Sequence, residues 1–290
     1  MTGILLVDKP EGWTSHDVVA KLRGVMGEKR IGHSGTLDPM ATGLLVVFLG
    51  RATRAVEFAE ADEKTYIASL LLGVVTDTQD TSGTVLARSE TIPGREALSA
   101  ALEKFRGEIE QIPPMYSAVK KDGKKLYELA RRGVEIERSA RRISIRELEL
   151  LSGSTERWTL RVRCSKGTYI RTLCHDIGQT LGCGACMSAL RRTQAGAFSV
   201  EQAHPLSEIV GSADPKTFLL PADGLFADRP ACTVKDGNAL QTVYNGGAVP
   251  MPELPDGEYR VYGPDGEFLM LGCAGQGVLH TVKSFFEPRN

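Results

Sequence analysis

The sequence predicts a two-domain α+β protein, and three observations predict it. Some segments carry apolar residues at the helical period of 3.6, others alternate apolar and polar residues at the strand period of two, and after about residue 226 the texture changes to short strand candidates broken by glycine turns. The chain has 290 residues, 42% apolar and 24% charged, enough to bury a core and to divide in two. No apolar run approaches the ~18 residues of a membrane span, and the apolar stretch at the N-terminus is too short for a signal peptide. A soluble, cytoplasmic, monomeric protein is expected. The six cysteines read as reduced thiols. Cys183 and Cys186 alone have metal-like spacing, and they lack the second pair that a structural zinc site needs, so no metal is expected.

The elements follow in order. Ile4 to Val7 reads as a short strand, and Thr14 or Ser15 can cap a helix whose apolar face is Val18, Val19, Leu22, Val25 and Met26. Thr65 to Leu72 is strand-like, and Pro93 opens a helix with Leu98, Ala101, Leu102 and Phe105 inward. Ile143, Ile145, Leu148 and Leu150, then Trp158, Leu160, Val162 and Cys164, suggest two more strands. Tyr169 to Leu181 is a helix with Ile170, Leu173, Ile177 and Leu181 on one face, which leaves Arg171 off that face. The last segment offers strands near residues 231–234, 259–262, 268–271 and 280–283.

Between the first helix and Thr65 lies the most specific stretch, Gly32-His33-Ser34-Gly35-Thr36-Leu37-Asp38-Pro39-Met40-Ala41-Thr42-Gly43-Leu44-Leu45. One carboxylate sits in a glycine-rich turn that precedes an apolar run. Gly32, Gly35 and Gly43 can take positive φ without a Cβ penalty, and Pro39 biases Asp38 away from helical dihedrals, so the turn should be rigid at the acid. A lone Asp-Pro is most often only a turn. Here the whole block, in register, resembles the nucleophile loop of the TruB-type tRNA pseudouridine synthases. Three further segments resemble that family in order and spacing: Lys9-Pro10 with Gly12 and Ser15; Lys64-Thr65-Tyr66 with Thr76 to Asp80; and Cys164-Ser165-Lys166-Gly167-Thr168-Tyr169-Ile170-Arg171.

The resemblance implies a catalytic domain over residues 1–225, built on a pseudouridine-synthase-like mixed, largely antiparallel sheet with flanking helices, and a small PUA-like RNA-binding module over 226–290. It implies isomerisation of uridine 55 in the tRNA T loop, with Asp38 as nucleophile, Arg171 as its cationic partner and Tyr66 stacked on the flipped base and able to take the C5 proton. His33 is implied to enter the RNA loop as the target flips out, since the glycosidic bond is inaccessible within a folded loop. Lys9, Asp80, Tyr169 and Leu190 are implied to contact the substrate. The reaction breaks an N-glycosidic bond and remakes it through carbon without net redox change, so no cofactor is expected. A carboxylate nucleophile in a dry pocket needs a nearby cation to stay ionised.

The net charge of −1 is unusual for an RNA-binding chain, but residues 120–146 hold ten Lys or Arg against four acids. Together with Pro113-Pro114-Met115-Tyr116 and a short helix near Leu126 to Arg132, this reads as a basic excursion over about 108–146, and it resembles the family's RNA-gripping thumb. Arg131, Arg132, Arg141 and Arg142 are its candidate phosphate contacts. Residues 201–290 carry twelve acids against six bases, which argues against strong phosphate contact there. A serine-hydrolase elbow fails at Thr36, and neither a P-loop nor a dinucleotide fingerprint is present. The remaining alternative is a noncatalytic RNA-binding protein that chaperones tRNA folding.

Overall fold

The computed structural model describes residues 1–61, 63–121 and 123–287. Asp122, one of the four acids of the basic run, lies outside the described residues. The main sheet runs, from edge to edge, through His204–Pro205, Gly3–Lys9, Thr42–Leu49, Ala185–Ala195, Lys64–Leu72, Arg157–Cys164, Arg141–Ser154 and Gly107–Gln111. Two of its pairings are parallel, Gly3–Lys9 with His204–Pro205 and Thr42–Leu49 with Ala185–Ala195; the others are antiparallel. The expected mixed, largely antiparallel sheet is therefore present.

Thr42–Leu49 is buried on both faces, which is why its sequence reads as an unbroken apolar run. Leu5, Val7, Leu45 and Val47 pack under the helix Ser15–Met26 on one face, while Ile4, Leu6, Leu44 and Val46 face the other way. That helix starts as expected: Thr14 accepts from the Asp17 amide, and the Asp17 carboxylate accepts from the Thr14 amide, a complete capping box. The larger core lies where Ala68, Leu70, Leu160 and Val162 of the sheet meet Leu173 and Ile177 of the helix Ile170–Leu181 and Leu98 and Leu102 of the helix Arg95–Leu102.

The sheet differs from the sequence reading in two places that matter for the site. The central strand Ala185–Ala195 was not expected. Register shifts at Met187/Ala189 and Arg192/Gln194 break its alternation, so its residues show no clean period of two. Arg141 and Arg142 lie on a strand of the main sheet, opposite Gln111 and Glu110, so the basic excursion proper is only residues 112–140, with the short helix Leu126–Ala130.

A second, five-stranded sheet takes up Ala231–Thr233, Gly257–Tyr262, Phe268–Gly275, Val278–Ser284 and Val249–Pro250. Each strand candidate of the last segment falls on one of these strands. The module also contains an unforeseen helix, Gly237–Tyr244, capped by Asp236. Leu271 and Phe285 of the module join Phe226, Phe48 and Ala52 in one core cluster, so the two sheets share apolar packing. No helix of the described residues is long and apolar enough to cross a membrane.

Candidate active site

The acidic loop joins Ile31–Ser34 to Thr42–Leu49, which pair antiparallel. Two of its three glycines take left-handed backbone, Gly35 at φ +74° and Gly43 at φ +96°, whereas Gly32 lies within the strand. At Gly43 a Cβ would stand 2.3 Å from the Arg192 carbonyl, so no larger residue fits without moving a strand. The N-terminal segment fastens the loop on both sides of the acid. Before it, the Leu37 amide donates to the Ser15 hydroxyl at 2.9 Å; after it, the Pro39 carbonyl accepts from the Gly12 amide at 2.8 Å and from Lys9 Nζ at 3.3 Å.

Lys9 is fully buried and also donates to the Pro10 and Trp13 carbonyls. Burial lowers its ammonium to about 8 against the attraction of Asp38. The structure therefore places Lys9 beneath the acidic loop rather than on an open surface. Its ammonium is committed to three backbone carbonyls.

Asp38 meets Arg171, from the first turn of the helix Ile170–Leu181, through two contacts: Nε to Oδ2 at 2.9 Å and Nη2 to Oδ1 at 3.3 Å. The Asp38 side chain keeps 35% exposure while that of Arg171 keeps 6%, so the carboxylate faces an opening and the guanidinium backs it. Arg171 also donates to the Thr78 and Tyr116 carbonyls at 3.0 and 2.8 Å and lies 3.7 Å from Asp80. Asp80 is itself fixed by the Thr78 and Ser82 hydroxyls and the Ser82 amide. Through Tyr116 the root of the basic excursion is tied directly to the arginine that holds Asp38.

Tyr66, on Lys64–Leu72, packs against the larger core, which includes Leu190. Burial pushes its phenol up, and the charge of Arg192 is the leading opposing influence. Tyr169 caps the Arg171 helix, its amide and carbonyl both held by the Gln111 side chain. His33 is half-buried, and burial, with the charges of His16 and Arg192 adding to it, lowers its imidazole to about 4. The His16 and His33 rings meet edge to face at 5.7 Å, and His33 Nδ1 has no hydrogen-bond partner among the described residues.

Arg131, Arg132, Arg141 and Arg142 are all exposed, and Arg131 lies over the Tyr127 ring at 5.4 Å. Among the described residues no group of three His, Cys, Asp or Glu could hold a metal ion. Cys183 and Cys186 are buried, and burial pushes the Cys186 thiol up to about 11. Arg192, which the sequence reading did not single out, lies fully buried under the loop. The signal for it was two adjacent arginines, Arg191 and Arg192, in a sheet strand: adjacent residues face opposite ways, so one of them points inward.

This arrangement provides a partly exposed carboxylate on a rigid turn with a buried cation paired to it. Such a set suits attack on an electron-poor carbon without a bound cofactor. Comparison with known proteins agrees with that geometry. The family model described as TruB family pseudouridylate synthase (N terminal domain) matches residues 23–170, and the tRNA pseudouridylate synthase B C-terminal domain matches residues 171–226. The chain is 46% identical over 283 residues to the tRNA pseudouridine synthase B of Azoarcus sp. (strain BH72), covering 97% of this chain and 94% of that protein. It is 44% identical over 289 residues to the protein of that name from Syntrophomonas wolfei, covering 97% and 96%. Among solved structures, one chain of an H/ACA RNP bound to a substrate RNA containing 2'-deoxyuridine superposes with a TM-score of 0.73 at 25% identity, over 99% of this chain and 86% of that one. With family models matched over residues 23–226 and relatives of 46% and 44% identity along almost its whole length, the chain belongs to the TruB family of pseudouridylate synthases and is an isomerase.

Proposed function

We propose that this protein converts the uridine at position 55 in the T loop of tRNA to pseudouridine, with Asp38 as the nucleophile. The observation that carries the reading is the Asp38–Arg171 pair: a partly exposed carboxylate on a turn fastened at Leu37 and Pro39, backed by a buried guanidinium. The tRNA assignment rests on relatives of 46% and 44% identity named tRNA pseudouridine synthase B, and the site choice on the motif resemblance.

In this reading Asp38 attacks the flipped nucleotide and the bond from N1 to C1′ breaks. The base turns within the pocket, C5 bonds to C1′ as Asp38 is released, the hydrogen at C5 leaves as a proton, and N1 takes up a proton. Arg171 supplies the counter-charge that Asp38 has before and after attack, and Asp80 fixes the guanidinium from its far side. Tyr66 stacks on the base with Leu190 and Tyr169 lining the pocket, and its oxygen, as phenolate, takes the C5 proton. His33, held neutral by burial, fills the place that the flipped base leaves. Lys9 acts through the loop, whose Pro39 carbonyl it holds. The exposed arginines 131, 132, 141 and 142 meet phosphates, and the C-terminal sheet is a PUA-like module of acidic balance.

The test is to incubate the protein with an unmodified tRNA transcript and map pseudouridine along it. Product at position 55 and no other is expected; product confined to another uridine contradicts the site assignment. Tight tRNA binding without product on any transcript is the behaviour of a folding chaperone.

A further inference from the structure

The largest fully buried side chain among the described residues is a charged one. Arg192 is 1% exposed, and its guanidinium pairs with no carboxylate among the described residues. Burying a cation without a counter-ion costs several kcal/mol even after relaxation. A neutral residue of similar length would avoid that cost. The charge therefore has a use that shows in its surroundings.

Its position is a gap in the sheet. The outer edge of Thr42–Leu49 is shared between two partners: Ile31–Ser34 pairs with residues 46–49, and Ala185–Ala195 pairs with Thr42 and Gly43. Arg192 stands where one partner gives way to the other. Its Nε donates to the Leu44 carbonyl at 2.7 Å, which no strand reaches, and its Nη2 donates to the Gly35 carbonyl at 3.0 Å, one residue after Ser34 leaves the sheet. A Cβ at Gly35 would lie 3.1 Å from Nη1, so the glycine also makes room for the guanidinium. On its other side Arg192 is the register partner of Tyr66 across the antiparallel pair, which puts both side chains on one face. The charge is felt by Tyr66, where it favours the phenolate, and by His33 and Lys9, where it favours the neutral forms. The other charged or titratable groups acting on Tyr66 are Cys164 and Asp38, and both oppose the phenolate.

We propose that Arg192 is a positioning residue of the isomerisation: its buried charge anchors the loop at Gly35 and, from the register position opposite Tyr66, supports the phenolate that then takes the C5 proton. The catalytic part rests on the reading of Tyr66 as proton acceptor. The ionisation part does not. A general base works best when its proton affinity is matched to its task, and an otherwise apolar pocket makes tyrosine a poor one. A fixed cation at the neighbouring register position offsets that penalty without entering the substrate pocket.

The test places a trifluorinated tyrosine, whose phenol ionises near neutrality in water, at position 66 of the full chain and follows it by fluorine NMR against pH. The midpoint is expected to rise by about one pH unit or more in Arg192→Gln and to return to within about half a unit of the parent in Arg192→Lys. With the natural tyrosine at 66, Arg192→Gln should lower kcat about tenfold or more while tRNA Kd moves less than about threefold, with Arg192→Lys recovering part of the rate. Should Arg192→Gln fail to fold, the parent itself decides: the Arg192 side-chain nitrogen resonance must shift with the same midpoint as the fluorine signal. An unchanged fluorine midpoint in folded Arg192→Gln, or an arginine resonance blind to the ionisation, overturns the proposal. Full turnover by Tyr66→Phe would instead remove the proton-acceptor reading, and the fluorine midpoint would still report whether Arg192 sets the ionisation.

Discussion

Asp38 and Arg171 stand 133 residues apart in sequence and share two contacts in the site. At this scale motif and geometry agree, because each residue sits where local chemistry fixes it: Asp38 in a turn that needs glycines, Arg171 in the first turn of a helix whose apolar face points elsewhere. Arg171→Lys keeps the charge and loses the planar fork that also serves the Thr78 and Tyr116 carbonyls. Turnover should fall at least about tenfold with tRNA affinity nearly unchanged, measured as separate kcat and Kd values. His33 carries a pH signature. With its imidazole lowered from 6.5 to about 4, the unfolded chain takes up a proton between those values that the folded chain refuses, so stability falls as pH falls through that window. His33→Gln should remove up to about 3 kcal/mol of this acid-side loss in denaturant titrations. Identical pH dependence in parent and variant would show that His33 is not held neutral. Arg192 was not legible as a functional residue. An arginine in a strand gives no sign of its direction until the register is known.

At the scale of elements, the legible pieces were those with an unbroken period. The helix Ser15–Met26 shows its cap and its apolar face in the sequence, and Arg157–Cys164 alternates without interruption. Ala185–Ala195 does neither, because two bulges reset its alternation, and yet it is the strand that joins the two halves of the sheet. The segment from Lys9 to Ser15 is a similar case. Its motif was visible, but its task of clamping residues 37 and 39 depends on a chain reversal that periodicity does not report. The basic excursion was legible from charge, although Arg141 and Arg142 belong to the main sheet, on the strand beside its edge strand. Replacing Arg131, Arg132, Arg141 and Arg142 together with Gln should flatten the slope of log affinity against log salt by up to ~0.7 to 0.9 per lost phosphate contact. A slope equal to the parent's would assign RNA gripping to some other surface.

Across the whole molecule, the two sheets are joined by a cluster of aromatic rings. Phe226 lies 5.3 Å from Phe58 of the catalytic part and 5.9 Å from Phe285 of the C-terminal part, and Lys283 pairs with Glu57 across the same junction. Such packing ties the acidic module to the back of the catalytic sheet. Its short strands and glycine turns were readable one by one. The junction was not, since an inward phenylalanine in a strand does not announce which sheet it packs against. What the molecule as a whole delivers is a partly exposed carboxylate, oriented by a buried guanidinium and fastened by the N-terminal segment, with the root of the basic excursion tied to the same guanidinium. The direct measurement of that claim is release of tritium from a tRNA transcript labelled at C5 of uridine, since joining C5 to the sugar must expel that hydrogen. The parent protein should release one label per pseudouridine formed, while Asp38→Asn, which keeps the side-chain shape and loses the charge, should bind the transcript nearly as well and release none above background. Equal release from both proteins would contradict the assignment of Asp38 as the nucleophile.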